Sequence, residues 1–264
     1  MLDITLAGRR ALITGGSGGL GAAMAQAFTL AGASVAICGR DVERTSAVAR
    51  SLSAKTGKTI HPIQLDLSDK SAAQRAVQEV AEVLGGLDTV VCAAGAPADG
   101  RLEQIAAHRW RESFEVKFFG AVDVMRESLA HLRQANGGVL IALSGLLGRE
   151  PEPGNIVSGS INAALENFMK ALAREVAGDG IRAVTICPGP FETPRIRNIL
   201  VQKGKDTGKA YEDLLALAKN AVPLQRFGTP EEFARLAVVI ASDASSFLTG
   251  TTITLDGGML KGAF

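Results

Sequence analysis

Tyrosine, tryptophan, cysteine and histidine are all scarce in this sequence. Its 264 residues include one tyrosine, Tyr211, and one tryptophan, Trp110, and aromatic residues total 5%. Any mechanism that needs a phenol elsewhere is therefore excluded. The three cysteines, Cys38, Cys92 and Cys187, are odd in number, and each closes an apolar run. They read as buried, reduced thiols of a cytoplasmic protein, not as a disulfide or zinc framework. His61, His108 and His131 have no metal-ligand spacing, so no metal is expected. Nor is one sign of charge in excess. Lys and Arg number 28 against 27 Asp and Glu, a formal net charge of +1. Bulk electrostatics gives such a chain no reason to bind nucleic acid or an anionic membrane. Met1 to Arg10 lacks the apolar core of a signal peptide. The uncharged stretch from Ala11 to Gly39 is long enough to cross a bilayer. A glycine cluster together with Thr14, Ser17, Gln26, Thr29 and Ser34 interrupts it, which argues against a span.

What the chain does have is a rhythm. Hydrophobic residues make up 47% and charged residues 21%, as in an ordinary globular protein. Short apolar runs lie near Ala11–Thr14, Ser34–Cys38, Ile60–Leu65, Thr89–Cys92, Val139–Leu143, Ala183–Cys187 and Thr252–Leu255. Amphipathic segments separate them. In one, Leu165, Phe168, Met169, Leu172 and Val176 share a helical face. Another begins with Thr229 as a cap, Pro230 in the first turn, and Glu231 and Glu232 at the positive end of the dipole. Seven strands alternating with helices predict an α/β fold, a doubly wound parallel sheet covered on both faces. With no linker or repeat, residues 1–264 read as one domain. The stretch from about 191 to 227 breaks the rhythm through Pro194, Gly204 and Gly208 and then a short helical stretch from Tyr211 to Lys219. An irregular insertion after a strand's carboxyl end reads as a substrate lid rather than a mobile surface loop.

The first strand runs into Thr14-Gly15-Gly16-Ser17-Gly18-Gly19-Leu20-Gly21 and then a good helix. Glycines there let the backbone turn tightly and approach a pyrophosphate, which the helix amides and dipole would hold. The fold is thus expected to be Rossmann-type and to bind a dinucleotide. The second strand ends Cys38-Gly39-Arg40. No acid stands at its tip for a ribose 2′-hydroxyl, and Arg40 offers a guanidinium to a 2′-phosphate, so NADP(H) is preferred over NAD(H).

With these motifs in order, the chain resembles the short-chain dehydrogenase/reductase family over nearly its whole length. Gly15, Ser17, Gly18, Gly19, Leu20 and Gly21 match the family's glycine loop. Asp66 and Leu67 match its adenine-contacting pair. Cys92-Ala93-Ala94-Gly95 is similar to its Asn-Asn-Ala-Gly with both asparagines lost. Pro188, Gly189 and Thr193 match the stretch that holds the nicotinamide carboxamide, and Leu255-Asp256-Gly257-Gly258 resembles the end of its final strand. The resemblance implies a homotetramer or homodimer.

The family's Asn-Ser-Tyr-Lys tetrad does not carry over. Alignment on Ala163-Ala164-Leu165 puts Ser158 in the tyrosine slot and Asn162 in the lysine slot. Gly145 falls in the serine slot with Ser144 beside it, and Lys117 stands where the asparagine belongs. A serine alcohol is a far weaker acid than a phenol, and Asn162 carries no charge to lower a pKa. Plain alcohol–ketone chemistry is therefore not expected. A serine in the tyrosine slot and Pro-Gly-Pro give partial similarity to the 2,4-dienoyl-CoA reductases, but their relocated tyrosine is also absent. The chain reads as an NADP(H)-binding oxidoreductase with non-standard catalytic residues, reducing C=C or an atypical carbonyl. The alternative is an inert nucleotide-binding sensor or scaffold. Lys117 either supplies the cation missing at Asn162 or snorkels to water. Arg149, Glu150 and Glu152 read as solvated loop charges. Arg195, Arg197, Lys203, Lys205 and Lys209 make the lid basic; they read first as a solvated loop face, and alternatively as suited to an anionic or acyl-CoA-like small-molecule substrate. Tyr211 and Trp110 read as packing residues.

Overall fold

A computed structural model describes residues 4–98 and 100–262. The ends of the expected 1–264 unit, Met1 among them, lie outside the described residues. Seven strands form one sheet: β1 (Arg10–Thr14), β2 (Ser34–Gly39), β3 (Ile60–Gln64), β4 (Thr89–Cys92), β5 (Gly138–Leu143), β6 (Ile181–Pro188) and β7 (Thr252–Leu255). All pairings are parallel, in the order β3-β2-β1-β4-β5-β6-β7. The central strands are buried on both faces, which is why Ala11–Thr14 and Thr89–Cys92 read as unbroken apolar runs.

The helices, in chain order, are α1 (Gly19–Leu30), α2 (Val42–Thr56), α3 (Ala72–Leu84), α4 (Ala107–Phe114), α5 (Gly120–Gln134), α6 (Ile156–Val176), α7 (Pro194–Thr207), α8 (Tyr211–Asn220) and α9 (Pro230–Ala241). Met24 and Phe28 of α1, Ala49 and Leu52 of α2 and Phe233 of α9 share one apolar layer with β1 and β6. Val77 of α3, Val124 and Met125 of α5 and Leu165, Met169 and Leu172 of α6 build the other. This is the doubly wound, Rossmann-type sheet that the sequence predicts. Strand order reverses between β1 and β4, and the crevice outside their carboxyl ends is where such sheets bind ligands.

Local signals explain the boundaries. Asp41 caps α2 by accepting from the Arg44 amide, and Gly57 ends that helix at φ 68°. Thr229 and Glu232 cap α9 reciprocally, as expected. At the amino ends of the strands, away from the crevice, Arg10 Nε donates to the buried Asp88 at 2.9 Å and ties the start of β1 to that of β4. The three cysteines are buried and free. No helix among the described residues is long and apolar enough to cross a membrane.

One expectation is corrected. Residues 194–207 are not irregular but form α7, a helix of 14 residues. Thr193 caps it, Pro194 occupies its first turn and Gly208 closes it at φ 70°. Proline and glycine, read as breakers, instead mark the helix's two ends. Gly204 lies inside the helix, where it faces the Lys209 carbonyl and Leu214.

Candidate active site

The glycine loop links β1 to α1 in the crevice. Gly15 adopts φ 65°, and a Cβ there would press on Ala93 and Ala94 at 3.0 Å. A Cβ on Gly21 would collide with the Gly15 carbonyl oxygen, and one on Gly19 would stand 2.7 Å from Thr193 Cγ2. The loop end of β1 therefore touches both the loop after β4 and the loop after β6. Thr14 Oγ1 accepts from the Ala93 and Ala94 amides at 3.1 and 3.3 Å, fixing Ala93-Ala94-Gly95 beside it. Gly18 precedes α1 with no side-chain cap. That leaves the first-turn amides to an external acceptor, the arrangement that suits a pyrophosphate.

At the tip of β2, Arg40 is exposed, and Asp66 holds its carboxylate below the usual range. The Ser68 hydroxyl bonded to Asp66 is the largest cause, followed by the Ser68 amide, with Arg40 adding attraction. Sequence reasoning missed Arg44. Its Nη2 donates to the Ser17 carbonyl at 3.3 Å, so a second guanidinium lies against the glycine loop. One turn of helix separates it from Arg40 and Asp41, and that spacing was the available signal. Leu67 lies under Gly120, where a Cβ would meet it at 2.8 Å. On the far side, Gly189 lets β6 pass Asp256, whose Cα would lie 2.6 Å from a Cβ.

Deeper in the crevice the structure brings Lys117, Asn162, Ser144 and Gly145 together. Lys117 lies in a π turn, Glu115–Phe119, between α4 and α5. Phe118 packs edge-on against Phe168 of α6, and Lys117 beside it reaches Asn162 of the same helix. The Lys117 stem passes Gly95, and Nζ donates to Asn162 Oδ1 at 2.6 Å and to the Ser144 carbonyl at 3.2 Å. Of the two readings of Lys117, the structure takes the crevice and not the snorkel. Lys117 is half-buried, and its pKa falls from 10.5 to about 8. Burial is the main cause. Arg195 on α7 lowers it further, while Cys187 and Glu166 oppose the shift.

Asn162 is buried, with its Nδ2 2.9 Å from where a Gly145 Cβ would sit. A side chain in that slot would strike the amide, so Gly145 and Asn162 fit each other. Ser158 is half-buried one turn before Asn162 on α6. Ser144 presents its carbonyl to Lys117 and its hydroxyl to α6. Its Oγ donates to Glu166 Oε1 at 2.7 Å, and Arg149 Nε donates to Glu166 Oε2 at 2.9 Å. Arg149 is therefore not a solvated loop charge, and Glu166 is a charged residue of this region that sequence reasoning did not single out. Glu150 accepts from the Lys261 and Gly262 amides. Tyr211 packs with Leu200, Leu214 and Phe227, and Trp110 stacks on Phe114, as expected of packing residues.

A protein-family profile described as Enoyl-(Acyl carrier protein) reductase matches residues 15–260. The chain is 32% identical over 258 residues to the 3-oxoacyl-[acyl-carrier-protein] reductase FabG of Chlamydia muridarum, covering 98% of this chain and all of that one. It is similar to the L-sorbose reductase of Gluconobacter frateurii, solved with NADPH and L-sorbose, at a TM-score of 0.94 and 31% identity, covering 99% and 100% of the two chains. It is likewise similar to RhlG of Pseudomonas aeruginosa, solved with NADP, at a TM-score of 0.88 and 32% identity, covering 98% and 99%.

Proposed function

Because the chain belongs to the short-chain dehydrogenase/reductase family and is an oxidoreductase of that kind, we propose that it reduces a small-molecule C=C bond conjugated to a carbonyl, or an atypical carbonyl, with NADPH. Gly15, Ser17, Gly18, Gly19, Leu20 and Gly21 hold the pyrophosphate. Arg40 and Arg44 meet the 2′-phosphate, and Asp66 and Leu67 the adenine. Ala93, Ala94 and Gly95 with Pro188, Gly189 and Thr193 frame the nicotinamide end. The bound coenzyme supplies hydride. The uncapped start of α1 and the two guanidiniums support that assignment, as does the solution of two relatives with NADPH or NADP.

One observation carries the catalytic reading, the 2.6 Å contact from Lys117 Nζ to Asn162 Oδ1. In the family's tetrad the amide is on the earlier helical segment and the cation on the later one. Here the two have changed places and still touch. Lys117 thereby returns a positive charge to the crevice, where it stabilises negative charge developing on a substrate oxygen. Ser158 keeps a hydroxyl in the tyrosine slot, but no phenol is available. That combination favours hydride addition to a polarised C=C, in which the carbonyl needs a cation more than a strong acid. The basic first turns of α7, with Arg195 and Arg197, suit an anionic or acyl-carrier-linked substrate. Relatives named for acyl-carrier substrates are consistent with this. Residues 191–227 act as the lid over one domain, and the working form is a homodimer or homotetramer.

The test combines NADPH calorimetry with turnover on conjugated enones, enals and simple carbonyl compounds. We expect binding together with saturated product from conjugated substrates. Lys117→Met should lower kcat more than tenfold while NADPH affinity is kept. Brisk oxidation of plain secondary alcohols would overturn the reading. Tight binding with no turnover on any substrate would mark the chain as a nucleotide sensor or scaffold instead.

A further inference from the structure

Lys117 reaches into the crevice without a carboxylate at bonding distance among the described residues. Both acceptors at its Nζ, Asn162 Oδ1 and the Ser144 carbonyl, are neutral. A neutral amine has two N–H bonds and one lone pair, so it satisfies both acceptors and still has the lone pair to present. The charged and titratable groups facing it come from three other elements. Arg195 on α7 disfavours the ammonium form and Glu166 on α6 favours it, while Cys187 on β6, its thiol pushed up to about 11, stays neutral near pH 7. Desolvation beside a second cation is the environment that makes a lysine a nucleophile. The Gly95 backbone leaves the stem unobstructed, and the amine stands at the carboxyl ends of β4 and β5, where the substrate carbonyl is to lie.

Building on the conjugated-substrate reading above, but with the free amine of Lys117 acting in place of the ammonium charge assigned to it there, we infer that Lys117 is a covalent catalyst that condenses with the substrate carbonyl to form an iminium ion. The Nζ lone pair forms the C–N bond as the C=O π pair moves to oxygen. That oxygen leaves as water, with one proton from nitrogen and one from solvent. The resulting C=N⁺ draws electrons from the adjacent C=C. Reduction at the β-carbon by nicotinamide hydride leaves an enamine, solvent protonates its α-carbon, and water releases the saturated carbonyl compound and free Lys117. Reduction at the imine carbon itself would leave a dead secondary amine, so the device suits conjugated acceptors. It also removes the need for the missing phenol, because the iminium replaces the protonated carbonyl.

The experiment needs no coenzyme. The full-length protein is incubated with butanal and sodium cyanoborohydride at pH 7, and peptides are mapped by mass spectrometry. A pKa of about 8 in place of 10.5 gives Lys117 roughly 300-fold more free amine at that pH than an ordinary lysine. Apart from the α-amine of the chain, whose ordinary pKa is also near 8, we expect a single lysine adduct, on the peptide carrying Lys117, with a rate that rises with pH and levels above about 8. Adducts scattered over surface lysines with Lys117 unmodified would overturn the inference. Lys117→Arg separates the two claims, since arginine keeps the cation and forms no imine. Loss of conjugated C=C reduction in that variant, with NADPH affinity intact, supports the covalent role. Retained turnover would overturn it and leave the reading above standing. Failure of the wild type to bind NADPH would overturn the reading above, while the adduct map would still decide the nucleophile.

Discussion

The amine of Lys117 makes a quantitative prediction about stability. Its pKa lies near 8 in the folded chain against 10.5 for an ordinary lysine. Each unit corresponds to about 1.4 kcal/mol, so holding the ammonium costs the folded state about 3 kcal/mol when both states are protonated. The sign follows from proton counting. Below pH 8 both states carry the proton, and the penalty is present in full. Between pH 8 and 10.5 the unfolded chain holds the proton that the folded chain has released, so stability rises with pH. Above 10.5 the penalty is gone. The assay is urea unfolding of wild type and Lys117→Met across pH 7 to 10.5. The Met variant also loses the contacts to Asn162 and the Ser144 carbonyl, but that loss does not vary with pH and only offsets the curve. The difference, wild type minus variant, should climb by up to about 1.4 kcal/mol per pH unit and gain about 3 kcal/mol in total. Other titrating groups cancel in the subtraction. A flat difference would mean that the amine is solvated, and the argument built on its burial would fail.

Three further outcomes are expected. Gly21→Ala places a methyl group on the Gly15 carbonyl oxygen, so NADPH binding by calorimetry should disappear and urea stability should drop by roughly 1–3 kcal/mol. Arg40→Ala and Arg44→Ala should each weaken NADPH about tenfold by losing a charge-assisted contact, while NADH affinity stays the same. Equal losses for both coenzymes would remove the 2′-phosphate assignment. Asp88→Ala strips the partner from Arg10 and leaves the Arg10 amide and the Thr89 hydroxyl without their acceptor; unfolding should come about 3 kcal/mol sooner.

Much of this architecture was legible because the signals are local. Parallel strands buried on both faces write themselves as apolar runs, and the run near Thr89–Cys92 coincides with β4; the half-buried edge strand β7 is met by the run Thr252–Leu255. The capping pair Thr229 and Glu232 needs only one turn of chain. The glycines of the nucleotide loop announce a backbone approach that no side chain tolerates. What was hidden depends on packing between distant segments. Glu166 sits one residue after Leu165 in an amphipathic helix, and only the fold shows that Ser144 and Arg149 converge on it. The direction of Lys117 is set by its bond to Asn162, a residue of a distant segment, which apolar neighbours in the sequence do not reveal. The helix α7 was obscured because Pro194 and Gly208 interrupt a periodicity search while marking helix ends.

The π turn at Glu115–Phe119 makes the crevice sensitive to chain length as well as to composition. A π turn accommodates one residue more than an α turn, and an α-helix rotates about 100° per residue. Deleting one codon within that stretch would restore α-helical winding and swing the lysine about a quarter of a revolution away from Asn162. The centre would be dismantled with all its side chains still encoded. In comparing sequences of this kind, a single-residue gap before Gly120 is therefore as informative about chemistry as a substitution in the centre itself.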